Sequence, residues 1–213
     1  MSLSYEGSSD MKSQRNLMHL LIRHGPKAHA NNDLWAEYRL DPPLTSSGTV
    51  FTRQRMSKIV SEFGEPDMVV CSPYLRTRQT AEILVSLCTN EPGVIIEPLL
   101  SEYLGNQKGE LRGCMRDETS KHNPPIEETM NQFRTRVKEY LERVSQFQGK
   151  IYLVTHGLFV AVAAELDGHA FAGGVVGLAS HYQLKNLRAT SRMEDEDEDE
   201  RQILTYFDGS SPK

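Results

Sequence analysis

Cysteine is scarce in this chain: three in 213 residues, and no CxxC pair. That spacing excludes a disulfide framework, matches no structural zinc site and suits a reducing compartment. No apolar run reaches the roughly 18 residues that span a bilayer, and the polar stretch from Met1 to Asn16 holds no hydrophobic signal segment. A soluble, cytoplasmic protein with no membrane partner is the expectation. Basic residues never cluster with aromatics, as a nucleic-acid binder would require, so no nucleic-acid partner is expected either. The formal net charge of -5 comes from one place, the seven consecutive acids Glu194 to Glu200. Taking those seven from the 29 acidic residues leaves 22 against 24 Lys and Arg. The run at 193–201 reads as a solvated, self-repelling loop before it reads as a lure for a basic partner.

What remains is the make-up of one ordinary domain, with 38% hydrophobic and 25% charged residues. Residues 1–15 are rich in Ser and charge without periodicity and read as a flexible leader, which leaves 16–213 as a single domain. Leu17 to Ile22, Met68 to Cys71 and Ile151 to Val154 are short runs apolar on both faces, the pattern of buried parallel strands. Helical patterns lie between them. Thr45 to Phe63 opens with hydroxyl residues and sets Val50, Met56, Ile59, Val60 and Phe63 near one face. Ser72-Pro73 reads as a helix start, Ser as the cap and Pro in the first turn, followed by Leu75, Ile83, Leu84 and Leu87. From Met130 to Phe147 apolar residues step by three or four until Gly149 supplies a stop. Alternating strands and helices predict an α/β fold with a mostly parallel sheet, to which Ser180 to Leu184 and Ile203 to Phe207 add two strands.

Three of the predicted strands end in reactive sequences: Arg23-His24-Gly25, Cys71-Ser72-Pro73 leading to Arg76, and Thr155-His156-Gly157. In open α/β sheets ligands bind beyond the carboxyl ends of the strands, so the three segments can share one pocket. Two Arg forks make an anion cradle, and a neutral imidazole is a competent nucleophile towards phosphorus. The other reading of either histidine alone is a satisfied residue at a strand end; the coincidence of three such ends favours a phosphoryl site. Cys71 does not supply a thiol alternative, because only four residues separate it from Arg76 where a cysteine phosphatase loop needs five. It reads as a small core residue, with Cys88 on a buried helix face and Cys114 in a loop. His19 reads as core or edge. His29, His122, His169 and His181 show no metal-ligand spacing. Gly173-Gly174 reads as a loop, and Trp35 and Tyr38 either wall an entrance or pack on the sheet.

Leu21-Ile22-Arg23-His24-Gly25, Pro43-Leu44-Thr45-Ser46-Ser47-Gly48, Cys71-Ser72-Pro73-Tyr74-Leu75-Arg76, Leu100-Ser101-Glu102 and Val154-Thr155-His156-Gly157 follow one another in an order that resembles the histidine phosphatase superfamily, phosphoglycerate-mutase-like branch. The resemblance implies a three-layer α/β/α sandwich and a metal-independent phosphomonoesterase without cofactors, acting on a small phosphorylated substrate or a phosphoprotein. By the same resemblance His24 is the phosphorylated nucleophile, Arg23, Arg76 and Gly157 hold the phosphoryl group, His156 is the second histidine and Glu102 the proton donor. The chain departs from the family pattern at Pro26-Lys27-Ala28-His29, at Phe51 and at Leu158, which bears on the substrate-contacting shell and leaves the four phosphate-pocket residues in place. Mutases carry Glu-Arg-His-Tyr-Gly at the donor segment where this chain has Glu102-Tyr103-Leu104-Gly105-Asn106, which ranks a phosphoglycerate-mutase-type transferase below a hydrolase. The rival from another class is a non-catalytic phospho-ligand or protein-binding module on the same fold. No oligomeric state follows from the sequence.

Overall fold

A computed structural model of the chain describes residues 18–29, 41–103, 105, 128–169 and 176–184. The expected leader, Trp35, Tyr38, Cys114, His122, Gly173-Gly174, the acidic run and the strand at 203–207 lie outside these residues. Five strands form one sheet in the order β3-β2-β4-β1-β5: β1 (Met18–Arg23), β2 (Met68–Cys71), β3 (Gly93–Ile96), β4 (Lys150–Thr155) and β5 (His181–Gln183). The first four are parallel and β5 runs antiparallel along β1.

Strand residues alternate between two apolar cores, as the period of two requires. Leu21, Val70, Ile151 and Leu153 face helices α3 (Met130–Val144) and α4 (Gly157–Leu166). Leu20, Ile22, Val69, Cys71, Tyr152 and Val154 face α1 (Ser46–Phe63) and α2 (Leu75–Val85). The result is the three-layer α/β/α sandwich, with β4 at its centre. Strand β3 is the exception to the buried pattern, since it is an edge strand and all four of its residues are exposed. Among the described residues no helix is long and apolar enough to cross a membrane.

Local chemistry sets the helix ends. Thr45 caps α1 by accepting from the Gly48 amide at 2.9 Å. Thr129 and Gln132 satisfy one another's backbone at the start of α3 in a capping box. Four readings of the sequence need correction. Val50 is 59% exposed, because the buried face of α1 runs through Gly48, Thr52, Met56 and Ile59 instead. Helix α2 begins at Leu75, two residues after Pro73, and Ser72 does not cap it. Cys88 lies beyond the end of α2 and is only half-buried, its thiol donating to the Leu84 carbonyl at 3.4 Å. Helix α3 also stops at Val144, and the residues up to Phe147 form a looser turn before Gly149. Strand β3 ends at Ile96, and Pro98–Leu100 follows as a single 3₁₀ turn.

Candidate active site

Register brings the site together. Arg23 of β1 is paired with Thr155 of β4, and Cys71 of β2 with Val154 of β4 and Ile96 of β3, so the parallel strands stop almost in step. The ladder then continues one bond further at each end. His24 N donates to Thr155 O at 3.0 Å, Ser72 N to Val154 O at 3.0 Å, and Glu97 N to Cys71 O at 2.8 Å. His24, Ser72 and His156 thus emerge side by side at the carboxyl edge, where the turn after β3 adds Glu102.

Two glycines allow the close approach. A Cβ on Gly25 would stand 1.8 Å from Thr52 Oγ1 of α1, and one on Gly157 3.1 Å from Arg23 Nε. Gly25 has no room for a side chain unless Thr52 shifts, and at Gly157 a side chain would press the Arg23 guanidinium back by a few tenths of an ångström. Gly25 therefore lets the loop after β1 lie on α1, and Gly157 lets the Arg23 guanidinium lie over the first turn of α4.

The two histidines stand with ring centroids 5.4 Å apart, His24 at 3% exposure and His156 at 0%. His24 Nδ1 lies 2.7 Å from the Gly25 carbonyl, an acceptor, so Nδ1 carries the proton and donates it there. Its Nε2 is left with a lone pair, towards which Arg76 Nε donates at 3.3 Å. His156 shows the opposite arrangement. Its Nδ1 accepts from Arg76 Nη2 at 3.3 Å, so Nε2–H donates to Ser72 Oγ at 2.9 Å. Burial first, and then the Arg76 charge, holds both imidazoles well below their ordinary 6.5, so both rings are neutral at physiological pH.

Arg76 is the hub of the site, with 1% exposure. Its Nη2 bonds Glu102 Oε2, its Nη1 lies 3.6 Å from Asp41 Oδ1, and its guanidinium carbon sits 4.2 Å from the centroid of the Tyr74 ring. Glu102 Oε2 is also 3.7 Å from His156 Nδ1. Arg23 Nη1 donates to the Val176 carbonyl, while its Nε has no bonding partner among the described residues. All six sequence-derived candidates, Arg23, His24, Arg76, Glu102, His156 and Gly157, therefore lie in one place.

Several neighbours escaped the sequence reading. Ser72 is spent on His156 instead of on a helix cap, and the vacated role passes to Asp41, both of whose carboxylate oxygens accept from Leu75 N at 2.9 Å. Lys27, half-buried, adds to the positive field that Arg76 exerts on His24 and His156. Arg136 and Glu128 form a buried pair behind the Glu102 segment. The signal for Arg136 was present: a charged residue on the apolar stripe of α3, between Phe133 and Val137. Cys71 is wholly buried and burial pushes its thiol up to about 12, which removes it from nucleophilic chemistry at neutral pH. Among the described residues no group of three or more His, Cys, Asp or Glu is arranged to hold a metal ion.

The sequence and the fold match known proteins. The family model of the histidine phosphatase superfamily, branch 1, covers residues 19–173. No curated protein matches the chain. Among solved structures, the ecdysone phosphate phosphatase of Bombyx mori in complex with tungstate has a TM-score of 0.60 at 15% identity, over 88% of this chain and 99% of that one. The alpha-ribazole phosphatase of Shigella flexneri has a TM-score of 0.56 at 22% identity, covering 78% and 89%. A phosphoglycerate mutase of Bacillus anthracis has a TM-score of 0.58 at 16% identity, covering 78% and 86%. At such identities the likeness is one of fold, which phosphatases and a mutase share. With the family model spanning most of its length, the chain belongs to the histidine phosphatase superfamily, in branch 1.

Proposed function

We propose that this protein is a metal-independent phosphomonoesterase that works through a phosphohistidine at His24. The observation that carries the reading is the fixed tautomer of His24: with Nδ1–H committed to the Gly25 carbonyl, the lone pair of Nε2 faces the Arg76 guanidinium, where a phosphoryl group would be held. Arg23 and Arg76 supply planar donors to the phosphoryl oxygens, and Lys27 adds to the field. The tungstate held by the silkworm phosphatase, a tetrahedral oxyanion like phosphate, agrees with an anion cradle on this fold.

In the first half-reaction Nε2 of His24 attacks phosphorus and the ester P–O bond breaks. The leaving oxygen takes a proton from Glu102, and Nδ1 of His156, turned to its protonated tautomer, donates to the group in transfer. An incoming dianion competes with Glu102 for Arg76 and turns the carboxyl towards the leaving oxygen. In the second half-reaction water attacks the phosphorus and gives its proton to Glu102. The P–N bond breaks, orthophosphate leaves, and His24 returns to its neutral state.

Small phosphorylated molecules and phosphoproteins are both within reach of this chemistry, and the fold does not choose between them. Replacing His24 by Ala should lower turnover of p-nitrophenyl phosphate by about a thousandfold or more while the melting temperature holds. Turnover above a few per cent of wild type, with the fold intact, would remove His24 from the reaction.

A further inference from the structure

The segment that delivers Glu102 has left the sheet. Its last ladder bond is from Glu97 N to Cys71 O, and Pro98–Leu100 is a single 3₁₀ turn followed by extended backbone at Ser101. Three consecutive carbonyls of this segment are instead held by side chains from other elements. Arg136 Nη1 donates to Leu99 O at 2.5 Å and to Ser101 O at 3.1 Å, and Thr155 Oγ1 donates to Leu100 O at 2.7 Å. Arg136 is itself fixed by Glu128, with Nε on Oε2 at 3.0 Å and Nη2 on Oε1 at 2.6 Å, and its guanidinium carbon lies 4.8 Å from the centroid of Phe133. Both members of the pair are buried, at 6% and 3% exposure.

We infer that Glu128, Arg136 and Thr155 are positioning residues whose task is to set the Glu102 carboxyl at its working distance from Arg76 and His156. The inference rests on Glu102 as the proton donor in the reading above. Burying two ions costs desolvation that their mutual attraction barely offsets, so a buried pair of this kind is weak as a stability device. Its geometry is specific. The fork of Arg136 reaches two carbonyls on either side of Leu100, while Thr155, the residue before His156, holds the carbonyl between them. The proton donor and the second histidine are thus tied to one strand end, and the donor is tied again to the middle of α3. A carboxyl displaced by an ångström misses the leaving oxygen, and a loss of that kind falls on the step that needs the proton.

The test replaces the pair as a unit, Glu128→Gln with Arg136→Met, and separately makes Thr155→Val, which keeps the shape and removes the donor. Each is measured with an alkyl phosphate, whose leaving group needs a proton, and with p-nitrophenyl phosphate, whose leaving group needs little. Glu102→Gln, alone and combined with each change, is measured in parallel. The expected result is a loss of kcat/KM of roughly tenfold or more on the alkyl ester against less than about threefold on the aryl ester, with Tm nearly held. On the Glu102→Gln background the same changes should add no further discrimination between leaving groups. Should the paired variant fail to fold, Thr155→Val carries the comparison. Equal losses on both esters, or losses that track Tm, overturn the inference while leaving the donor role intact if Glu102→Gln itself discriminates. No discrimination by Glu102→Gln overturns both.

Discussion

Ser72 shows how much a single hydroxyl decides. A hydroxyl can accept from a ring N–H or, after rotating, donate to a bare ring nitrogen, so Ser72 serves either tautomer of His156. In the structure Nδ1 of His156 is an acceptor facing Arg76; in the proposed phosphoryl transfer it becomes a donor, and a partner like Ser72 permits the exchange without a buried polar atom losing its bond. Ser72→Ala removes that partner. Turnover of p-nitrophenyl phosphate should fall by roughly 10- to 100-fold through kcat, with KM changed much less. A kcat within twofold of wild type would show that the Ser72 bond does not govern the tautomer of His156. The residues proposed for the chemistry were legible in the sequence because they sit at strand ends in short motifs. Ser72 was read as a cap because local sequence cannot reveal a partner 84 positions away.

The element that exposes this limit is α2. Ser-Pro before a helical pattern is a good local start signal, yet the helix opens two residues later because Ser72 is engaged by His156 and the Leu75 amide finds Asp41. Asp41 therefore caps α2 from outside it and stands beside Arg76 at the same time. Asp41→Ala should cost about 0.5–2 kcal/mol of stability by loss of the cap. Asp41→Asn keeps an acceptor for Leu75 and should retain most of that stability. Thermal unfolding of the two variants checks the order, and equal losses would mean that the carboxylate's charge, and not its cap, is what matters. Elsewhere the helices were readable where a cap and an apolar stripe coincide, as at Thr45 and Thr129. The stripe misled at Val50, since the face of α1 against the sheet is built partly from Gly48 and Thr52, whose small side chains let the Gly25 loop come close.

At the scale of the molecule, a central sheet clad on both faces places four histidines out of full contact with water. His19, His24, His156 and His181 are each lowered from 6.5 with burial the largest cause. His19, at 3% exposure, has no bonding partner for either ring nitrogen among the described residues. Between those lowered values and 6.5 the unfolded chain binds more protons than the folded one. The stability these groups contribute is present above about pH 6.5 and is lost as pH falls through the window below it. The urea midpoint should therefore be lower at about pH 5.5 than at about pH 7.5, and His19→Leu should narrow the gap. An equal midpoint at both values would contradict the account of buried neutral imidazoles. The parallel core was legible because both faces of each strand are apolar, whereas the strand order was not. Sequence carries no sign that β4, the fourth strand in the chain, inserts between β1 and β2, which is what brings His156 between His24 and Ser72.

The central claim is that the phosphoryl group passes through His24. Rapid acid-free quenching of enzyme turning over ³²P-labelled p-nitrophenyl phosphate, followed by peptide mapping, tests it directly. The account predicts an acid-labile, alkali-stable label on the peptide that holds His24, absent from His24→Ala and more abundant in Glu102→Gln, where hydrolysis of the intermediate is slowed. Label on any other residue, or turnover in which Glu102→Gln accumulates no phosphoenzyme and His24→Ala still hydrolyses the ester, would contradict it.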